Sequence, residues 1–178
     1  MKVDYHKRKL PHIQIENMPN FITFRTHKSI DPYIKKISAS DLNVKSKQYA
    51  IDTYLDNSSL GAYFFDEAVD VMGEVLLAED GLAYDLHSFS IMPNHIHIIF
   101  QAKDDLARIM QKIKGRSARV LNKKLGMYGT FWAKEYYDKV IRDEVQYKKS
   151  VEYVLNNPVR AGLKDAEKRI YDNTGFSL

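Results

Sequence analysis

The chain has 178 residues, of which 44% are hydrophobic and 12% aromatic, a composition typical of one well-packed globular domain and short for two. It contains no cysteine, which excludes disulfides, zinc ribbons and thiol chemistry, and its formal net charge of +4 only weakly indicates a nucleic-acid partner. No apolar run reaches the roughly 18 residues of a membrane span, and the basic N-terminus lacks the apolar core of a signal peptide, so we expect a cytoplasmic protein.

The first third of the chain contains few regular patterns. Residues 1–18 predict an irregular N-terminal lead-in. The run Phe-Ile-Thr-Phe-Arg at 21–25 favours β structure and predicts a first strand, which Asp31 and Pro32 end. Residues 46–55 predict a short helix, although their apolar residues recur with poor periodicity. This part of the chain therefore supplies one strand and no motif of its own.

The chain from Asp66 onward has stronger periodicity. Its apolar spacing, turn residues and caps predict, in order, a helix from Asp66 to about Gly81, strands at 84–92 and 95–101, a helix at 106–125, a strand at 131–141, and a helix from Asp143 to Pro158. The whole order is strand, helix, strand, strand, helix, strand, helix. It predicts an α+β fold of ferredoxin-like type, a split β-α-β sandwich whose antiparallel sheet has helices on one face and a functional site on the other.

The motif Met92-Pro-Asn-His95-Ile-His97 opens one of the predicted strands. His95 and His97 project from one face because side chains alternate along a strand, whereas Ile96 and Ile98 take the other face. Two neutral imidazoles at this spacing can hold one divalent ion, and a polar pair in an apolar strand costs stability unless something satisfies it. Hydrogen bonds to neighbouring protein groups would also satisfy it, so the spacing alone leaves both interpretations open.

A tyrosine and an amide lie one turn apart on the last predicted helix. Tyr153 and Asn157 stand at i and i+4 and therefore share a helix face. The amide oxygen of Asn157 would add a third ligand to the two imidazoles, and such a set with open positions suits Mg²⁺ or Mn²⁺. A metal pair beside a tyrosine suggests phosphoryl transfer with the phenol as nucleophile. Core packing is the alternative role for Tyr153, because the chain has 12 tyrosines and this helix is partly apolar.

The densest cationic segment coincides with the helix predicted at 106–125. DNA phosphates are the partner that such a segment suggests, with an affinity that falls steeply with salt, and a solvated helix face is the alternative. The residues predicted to contact DNA are Arg108, Lys112, Lys114, Arg116, Arg119 and Lys123. Aromatic residues follow at Phe131, Trp132, Tyr136 and Tyr137, and some of them could stack on unpaired bases.

These motifs follow one another in a specific order. The His-x-His motif is followed by the basic stretch at 108–119, by aromatic residues within 131–143, and by Tyr153-Val-Leu-Asn-Asn-Pro-Val-Arg-Ala-Gly-Leu163. The set resembles the REP-associated tyrosine transposases, a branch of the single-tyrosine HUH transposases of small insertion sequences. The resemblance extends over residues 21–163, which is most of the chain.

The resemblance implies three parts. They are the lead-in at 1–18, a single-tyrosine HUH transposase domain at 19–163, and a short C-terminal tail at 164–178. The tail lacks the aromatic-serine ending of many relatives, and the segment at 37–59 is also unlike them. Either segment could alter DNA selection or dimer contacts.

The resemblance also implies a reaction. Members of this family cut single-stranded DNA, usually next to a hairpin that they recognise as a folded structure. Tyr153 would attack a phosphate and stay attached as a 5′-phosphotyrosine, which leaves a free 3′-OH. His95 and His97 would be the metal-binding histidines, and Asn157 falls where the family places its third ligand, although many relatives use glutamine there. The implied partners are Mg²⁺ or Mn²⁺ and single-stranded or hairpin DNA, and a homodimer stays open.

Two other functions compete with this hypothesis. A catalytically retired hairpin-DNA-binding protein, acting as a repressor or chromosome-structuring factor, would keep the fold without needing His95, His97 and Tyr153 together. A small-molecule metallohydrolase would need a general base near the histidines, and the sequence has no His-Glu-x-x-His motif. The leading hypothesis is therefore a metal-dependent DNA strand transferase.

Overall fold

The computed structural model describes residues 3–7 and 11–175. The strands in these residues are β1 (Val3–Lys7), β2 (Pro11–Ile15), β3 (Pro19–Arg25), β4 (Tyr84–Ile91), β5 (His95–Ala102), β6 (Tyr137–Val140) and β7 (Ile170–Asp172). The α-helices are α1 (Pro32–Ala39), α2 (Val44–Asp56), α3 (Glu67–Leu77), α4 (Leu106–Leu125) and α5 (Glu144–Arg160). Short 3-10 helices lie at His27–Ser29 and Ala166–Arg169. None of these helices has both the length and the apolar character needed to cross a membrane.

Five strands form an open antiparallel sheet in the order β6-β3-β5-β4-β7, while β1 and β2 pair with each other. The central strand is β5, which pairs with β3 on one side and with β4 on the other. This register places Thr23 of β3 and Ser90 of β4 on either side of His97. The histidine strand is therefore paired along both edges, with one register shift on the β4 side between Leu86 and Ser88.

The two faces of the sheet have different covers. Ile96, Ile98 and Phe100 pack with residues of α3 and α4 in the larger apolar core. Ile99 lies in a second cluster on the opposite face, together with Val154 of α5. The predicted α+β, ferredoxin-like arrangement is confirmed, because α3 and α4 cover one face and the histidines and Tyr153 lie on the other. The helix that carries the tyrosine, α5, packs on that second face.

Capping residues define the two long helices, and the sequence predicted the one that begins the second of them, Asp143. The Asp105 side chain accepts a hydrogen bond from the Arg108 backbone N–H at 2.9 Å, and Gly126 ends α4 in the left-handed conformation with φ of 63°. Asp143 caps α5 by accepting from the Gln146 backbone N–H at 2.8 Å. The start of α5, which aims Tyr153 at the sheet, is therefore set by local sequence.

The predicted irregular lead-in is wrong where the structure describes it. The antiparallel pair β1–β2 spans much of residues 1–18, and its register sets Val3 opposite Ile15 and Tyr5 opposite Ile13. This alternation of apolar positions is the ordinary signal of paired antiparallel strands, and Pro11 obscured that signal. Residues 1, 2 and 8–10 lie outside the described part of the chain.

The strand predicted at 131–141 is much shorter in the structure. Only β6 forms within it, and Trp132 makes an isolated bridge to Thr26. The indole N–H of Trp132 donates to Ser117 Oγ of α4 at 2.9 Å, inside the larger core. The aromatic residues are enriched here because they fill the core from an irregular segment, and not because they alternate along a sheet.

The predicted helix end at Pro158 is also wrong, since α5 continues to Arg160. A proline this close to the end of a helix removes one backbone N–H and one hydrogen bond, which the last turn tolerates. The Ala161 backbone N–H still donates to the Asn157 carbonyl at 3.0 Å. The tail that follows is ordered through Gly175 and contributes β7, whereas residues 176–178 lie outside the description.

Candidate metal and tyrosine site

The two imidazoles of β5 converge in the interior of the protein. His95 Nε2 and His97 Nε2 are 3.0 Å apart, and neither side chain is exposed to solvent. Thr23 Oγ1 lies 2.7 Å from His97 Nδ1, and Asn94 Oδ1 lies 2.8 Å from His95 Nδ1. The outer nitrogens are therefore engaged with the protein, which orients the Nε2 atoms toward one point, as second-shell partners do for metal-binding histidines.

The orientation of Asn94 determines the tautomer of His95. The Asn94 amide nitrogen donates to the backbone carbonyls of Leu55 and Ser58 at 3.1 and 2.9 Å. Its oxygen must therefore face His95 and accept the Nδ1 hydrogen, which leaves the lone pair on Nε2. That lone pair is what a metal ion would require of the ring.

Burial keeps both histidines neutral. Desolvation lowers the pKa of His97 to about 3, with a further contribution from Arg160, and holds the pKa of His95 well below its ordinary value. A neutral imidazole is a metal ligand, whereas an imidazolium is not. The two rings are therefore in the protonation state that binds a cation near neutral pH.

A carboxylate that the sequence did not single out completes the cluster. Asp52 on α2 is 3% exposed, and one of its oxygens lies within 4.8 Å of ligand nitrogens of His95 and His97. The Gln48 side-chain amide donates to Asp52 Oδ1 at 2.5 Å. Desolvation raises the pKa of Asp52 to about 8, and nearby Asp56 raises it further, although hydrogen bonds from Tyr153 and Gln48 oppose the shift.

A signal for Asp52 was present in the sequence. The buried positions of α2 follow the helical spacing of Gln48, Ile51, Asp52 and Leu55. Two of these positions are polar on an otherwise apolar stripe, and polar groups in such places need a partner or a function. The poor periodicity seen at 46–55 was therefore the mark of a site-facing helix.

Tyr153 contacts both the carboxylate and the histidines. Its hydroxyl donates to Asp52 Oδ2 at 3.2 Å, and its ring lies edge-on to His97 with 5.3 Å between centroids. The Arg160 guanidinium lies over the Tyr153 ring, 5.6 Å from its centroid. Burial and the neighbouring carboxylates of Asp52 and Asp56 raise the pKa of the phenol above its ordinary value, so the tyrosine is held as a protonated O–H.

Asn157 is buried in the last turn of α5. Its side chain is fully buried, and neither amide atom has a hydrogen-bond partner among the described residues. Buried amides are normally hydrogen-bonded, so this pair of atoms calls for a ligand. Two neutral imidazoles and the Asp52 carboxylate are a donor set that fits a divalent cation such as Mg²⁺ or Mn²⁺, and Asn157 lies one turn after Tyr153 on the neighbouring helix.

The predicted DNA-contact residues of α4 lie apart from this cluster, because α4 packs on the other face of the sheet. Three of them form ion pairs: Arg108 Nη1 lies 3.8 Å from Asp104, and both Lys112 and Arg116 pair with Glu79, at 2.7 and 3.7 Å. The Lys114 ammonium donates to the backbone carbonyls of residues 133 and 134 at 2.6 and 3.0 Å. Arg119 and Lys123 are exposed and form no ion pair with another described residue.

The segment that carries the histidines and the tyrosine is similar to a class of DNA-processing proteins, the transposases. Residues 70–157, which contain both histidines, Tyr153 and Asn157, match the family model described as transposase IS200 like. The resemblance seen in the sequence is confirmed, because the segment that carries these residues is similar to the IS200-like transposases. α2, with Asp52, lies outside the matched segment.

Two solved structures are similar to this chain, and the first of them shows the same fold. A REP-associated tyrosine transposase bound to a REP hairpin has a TM-score of 0.51 at 15% identity, covering 89% of this chain and 74% of that chain. A candidate transposase from Deinococcus radiodurans R1 has a TM-score of 0.48 at 14% identity, covering 88% of this chain and 98% of that chain. A search of curated proteins found no significant match.

Proposed function

We propose that this transposase cuts single-stranded DNA beside a hairpin and holds one end as a 5′-phosphotyrosine on Tyr153. The observation that carries the proposal is the position of the Tyr153 hydroxyl, 3.2 Å from Asp52 Oδ2 and on the ring that packs against His97. A nucleophile placed against a cluster of metal-ligand type is the arrangement that phosphoryl transfer requires.

The reaction balances without any other reactant. The tyrosine Oη forms a bond to phosphorus, the bond from phosphorus to the 3′ oxygen breaks, and the proton that the phenol loses equals the one that the 3′-OH gains. The bond energy stays in the phosphotyrosine, so a strand end can reverse the reaction or accept the DNA. No nucleotide hydrolysis is needed.

The chain's own residues would prepare this step. A divalent ion held by His95, His97 and Asn157 would stabilise charge on the phosphate and favour the phenolate. Contacts with His97 and Arg160 restrict the orientation of the Tyr153 ring, and the guanidinium adds positive charge close to the proposed nucleophile. No observation in the described residues favours the alternative function, a DNA binder that no longer cuts. The adduct assay below distinguishes the two functions.

Hairpin DNA is the substrate class we assign. The fold is that of a structure containing a transposase bound to a REP hairpin, and the exposed Arg119 and Lys123 of α4 offer cations for a DNA backbone. The fold similarity and the exposed cations indicate a class of DNA and not a particular DNA sequence.

The test is a covalent-adduct assay with single-stranded hairpin DNA from the neighbourhood of the gene, in Mg²⁺ or Mn²⁺. We expect a denaturation-resistant protein–DNA band that EDTA abolishes and that Tyr153→Phe lacks. Tyr147→Phe is the matched control, because Tyr147 lies on the same helix but its hydroxyl is 2.8 Å from His87 Nδ1, away from the cluster. Binding without an adduct for several hairpins and both metals would assign the non-cutting role instead.

A further inference from the structure

The helix α2 reaches the candidate site from outside the segment that matches the IS200-like family. That match begins at residue 70, whereas α2 spans Val44–Asp56. Asp52 is nevertheless buried within 4.8 Å of ligand atoms of both histidines. The site of this chain is thus built from β5, α5 and an additional helix.

The position of α2 is coupled to that of the histidines. The Asn94 amide nitrogen donates to the carbonyls of Leu55 and Ser58, at the end of α2 and just beyond it. The oxygen of the same amide holds His95 Nδ1 at 2.8 Å. The Asn94 side chain therefore orients His95 and also anchors the helix that carries Asp52. These hydrogen bonds fix the position of the carboxylate relative to the imidazole.

The Asp52 carboxylate is itself oriented. Gln48 donates to Oδ1 at 2.5 Å from one turn earlier on the same helix, and Tyr153 donates to Oδ2 at 3.2 Å. No ion pair joins Asp52 to a cationic side chain in the described part of the protein. A buried carboxylate is favourable where it coordinates a metal ion, and ligand nitrogens of both histidines lie within 4.8 Å of it.

The donor set lacks charge without this residue. Two neutral imidazoles and the Asn157 amide carry no negative charge, whereas Mg²⁺ and Mn²⁺ favour sites that contain a carboxylate. Building on the proposed function, we propose that Asp52 is the anionic ligand of the divalent ion, together with His95 and His97. In this proposal α2 supplies a ligand to the metal centre, in addition to any contribution from Asn157 of α5.

The experiment measures Mn²⁺ binding to DNA-free protein by calorimetry and by the loss of the free-ion EPR signal. We expect Asp52→Asn to raise the Kd at least about tenfold, because it replaces an anionic ligand with a neutral one. Asp41→Asn is the control, because Asp41 is an exposed carboxylate that precedes α2, and it should leave the Kd unchanged. Asp56→Asn is measured beside it, because Asp56 Oδ1 lies 3.7 Å from His95 Nε2, and we expect it to lose less affinity than Asp52→Asn. Wild-type affinity in Asp52→Asn, or a larger loss in Asp56→Asn, overturns the proposal.

A second pair of variants separates the two helices. If Asn157→Ala abolishes Mn²⁺ binding while Asp52→Asn retains it, the ligand comes from α5 alone and the proposal fails. Melting curves in EDTA establish that each variant is folded. If Asp52→Asn does not fold, Asp52→Ser replaces it, and the same rise of at least about tenfold in the Kd for Mn²⁺ is expected.

Failure of this inference and failure of the proposed function give different results. Wild-type protein that forms the tyrosine adduct, with Asp52→Asn binding Mn²⁺ normally, removes Asp52 from the metal centre and leaves the function intact. Wild-type protein that forms no adduct but binds Mn²⁺ in an Asp52-dependent way supports the metal site and removes the cutting role.

Discussion

Individual residues in the site are held in unusual protonation states by burial. Asp52 and Tyr153 share a hydrogen bond at 3.2 Å, and desolvation raises the pKa of both groups. The same burial lowers the pKa of His95 and His97. In the absence of a metal, every one of these groups is therefore biased toward its neutral form, and a bound cation would reverse the bias for the carboxylate.

The pH dependence of stability follows from Asp52. The pKa of Asp52 is about 8 in the folded protein and 3.8 for an unperturbed aspartate, so between these two values the folded state binds one more proton than the unfolded state. The stabilising contribution is present at low pH and is lost as the pH rises toward 8, by at most about 1.4 kcal/mol per pH unit.

Asp52→Asn removes this dependence. We expect the stability of the variant relative to wild type to grow from about pH 5 to about pH 8 and to stay level above that, in urea denaturation with EDTA. A difference between the two proteins that does not change with pH would show that the carboxyl is ionised throughout.

At the scale of elements, the cationic helix α4 divides into two functional parts. Lys112 and Arg116 both pair with Glu79, whose carboxylate neutralises part of their positive charge. Arg119 and Lys123 are exposed, stand at i and i+4, and therefore share one helix face. The sequence prediction treated all of these residues alike, because partners from α3 and its following turn are visible only after folding.

We expect Arg119→Ala with Lys123→Ala to weaken hairpin-DNA binding and to lower the slope of log affinity against log salt by about 1.5 to 2. Lys112→Ala with Arg116→Ala is the matched pair on the same helix and should change the slope less. Fluorescence anisotropy across a salt series measures both. Equal slopes for the two double variants would place the DNA elsewhere on the molecule.

At the scale of the whole molecule, the C-terminal tail is part of the core. Arg169 is 1% exposed, and its guanidinium donates to the backbone carbonyls of Phe64 and Ile91 at 3.1 and 3.0 Å. Its Nε also donates to Asp165 Oδ1 at 2.7 Å. Ile91 ends β4 immediately before the turn into the histidine strand, so the tail supports the backbone that positions the site.

Arg169→Met should lower the free energy of unfolding by about 3 kcal/mol or more, because it leaves two buried carbonyls and one carboxylate without their donor. Lys168→Met is the control: it removes an exposed pair with Asp70 at 2.9 Å and should change stability by about 0.5 kcal/mol or less. Urea denaturation in EDTA compares the two. Similar losses for both variants would contradict a structural role for the buried guanidinium.

Local signals predicted most of the sheet and its long helices. The alternation of β5 and the caps Asp105 and Asp143 depend on neighbouring residues alone, and the structure agrees with them. The start of α1 was missed although its signal is local: Asp31 accepts from the Ile34 backbone N–H at 2.9 Å and Pro32 occupies the first turn, so a pair interpreted as a break begins a helix.

The sequence by itself determined the family, the shared face of His95 and His97, and the helix face that carries Tyr153 and Asn157, because strand alternation and helical spacing are properties of the local chain. Only the tertiary structure decided that Asp52 joins the histidines, which of the α4 cations are already paired, and that the tail packs into the core. Tyr153 and Asp52 are far apart in the sequence, and contacts of that kind arise from packing α2 and α5 on one sheet, which no local pattern encodes.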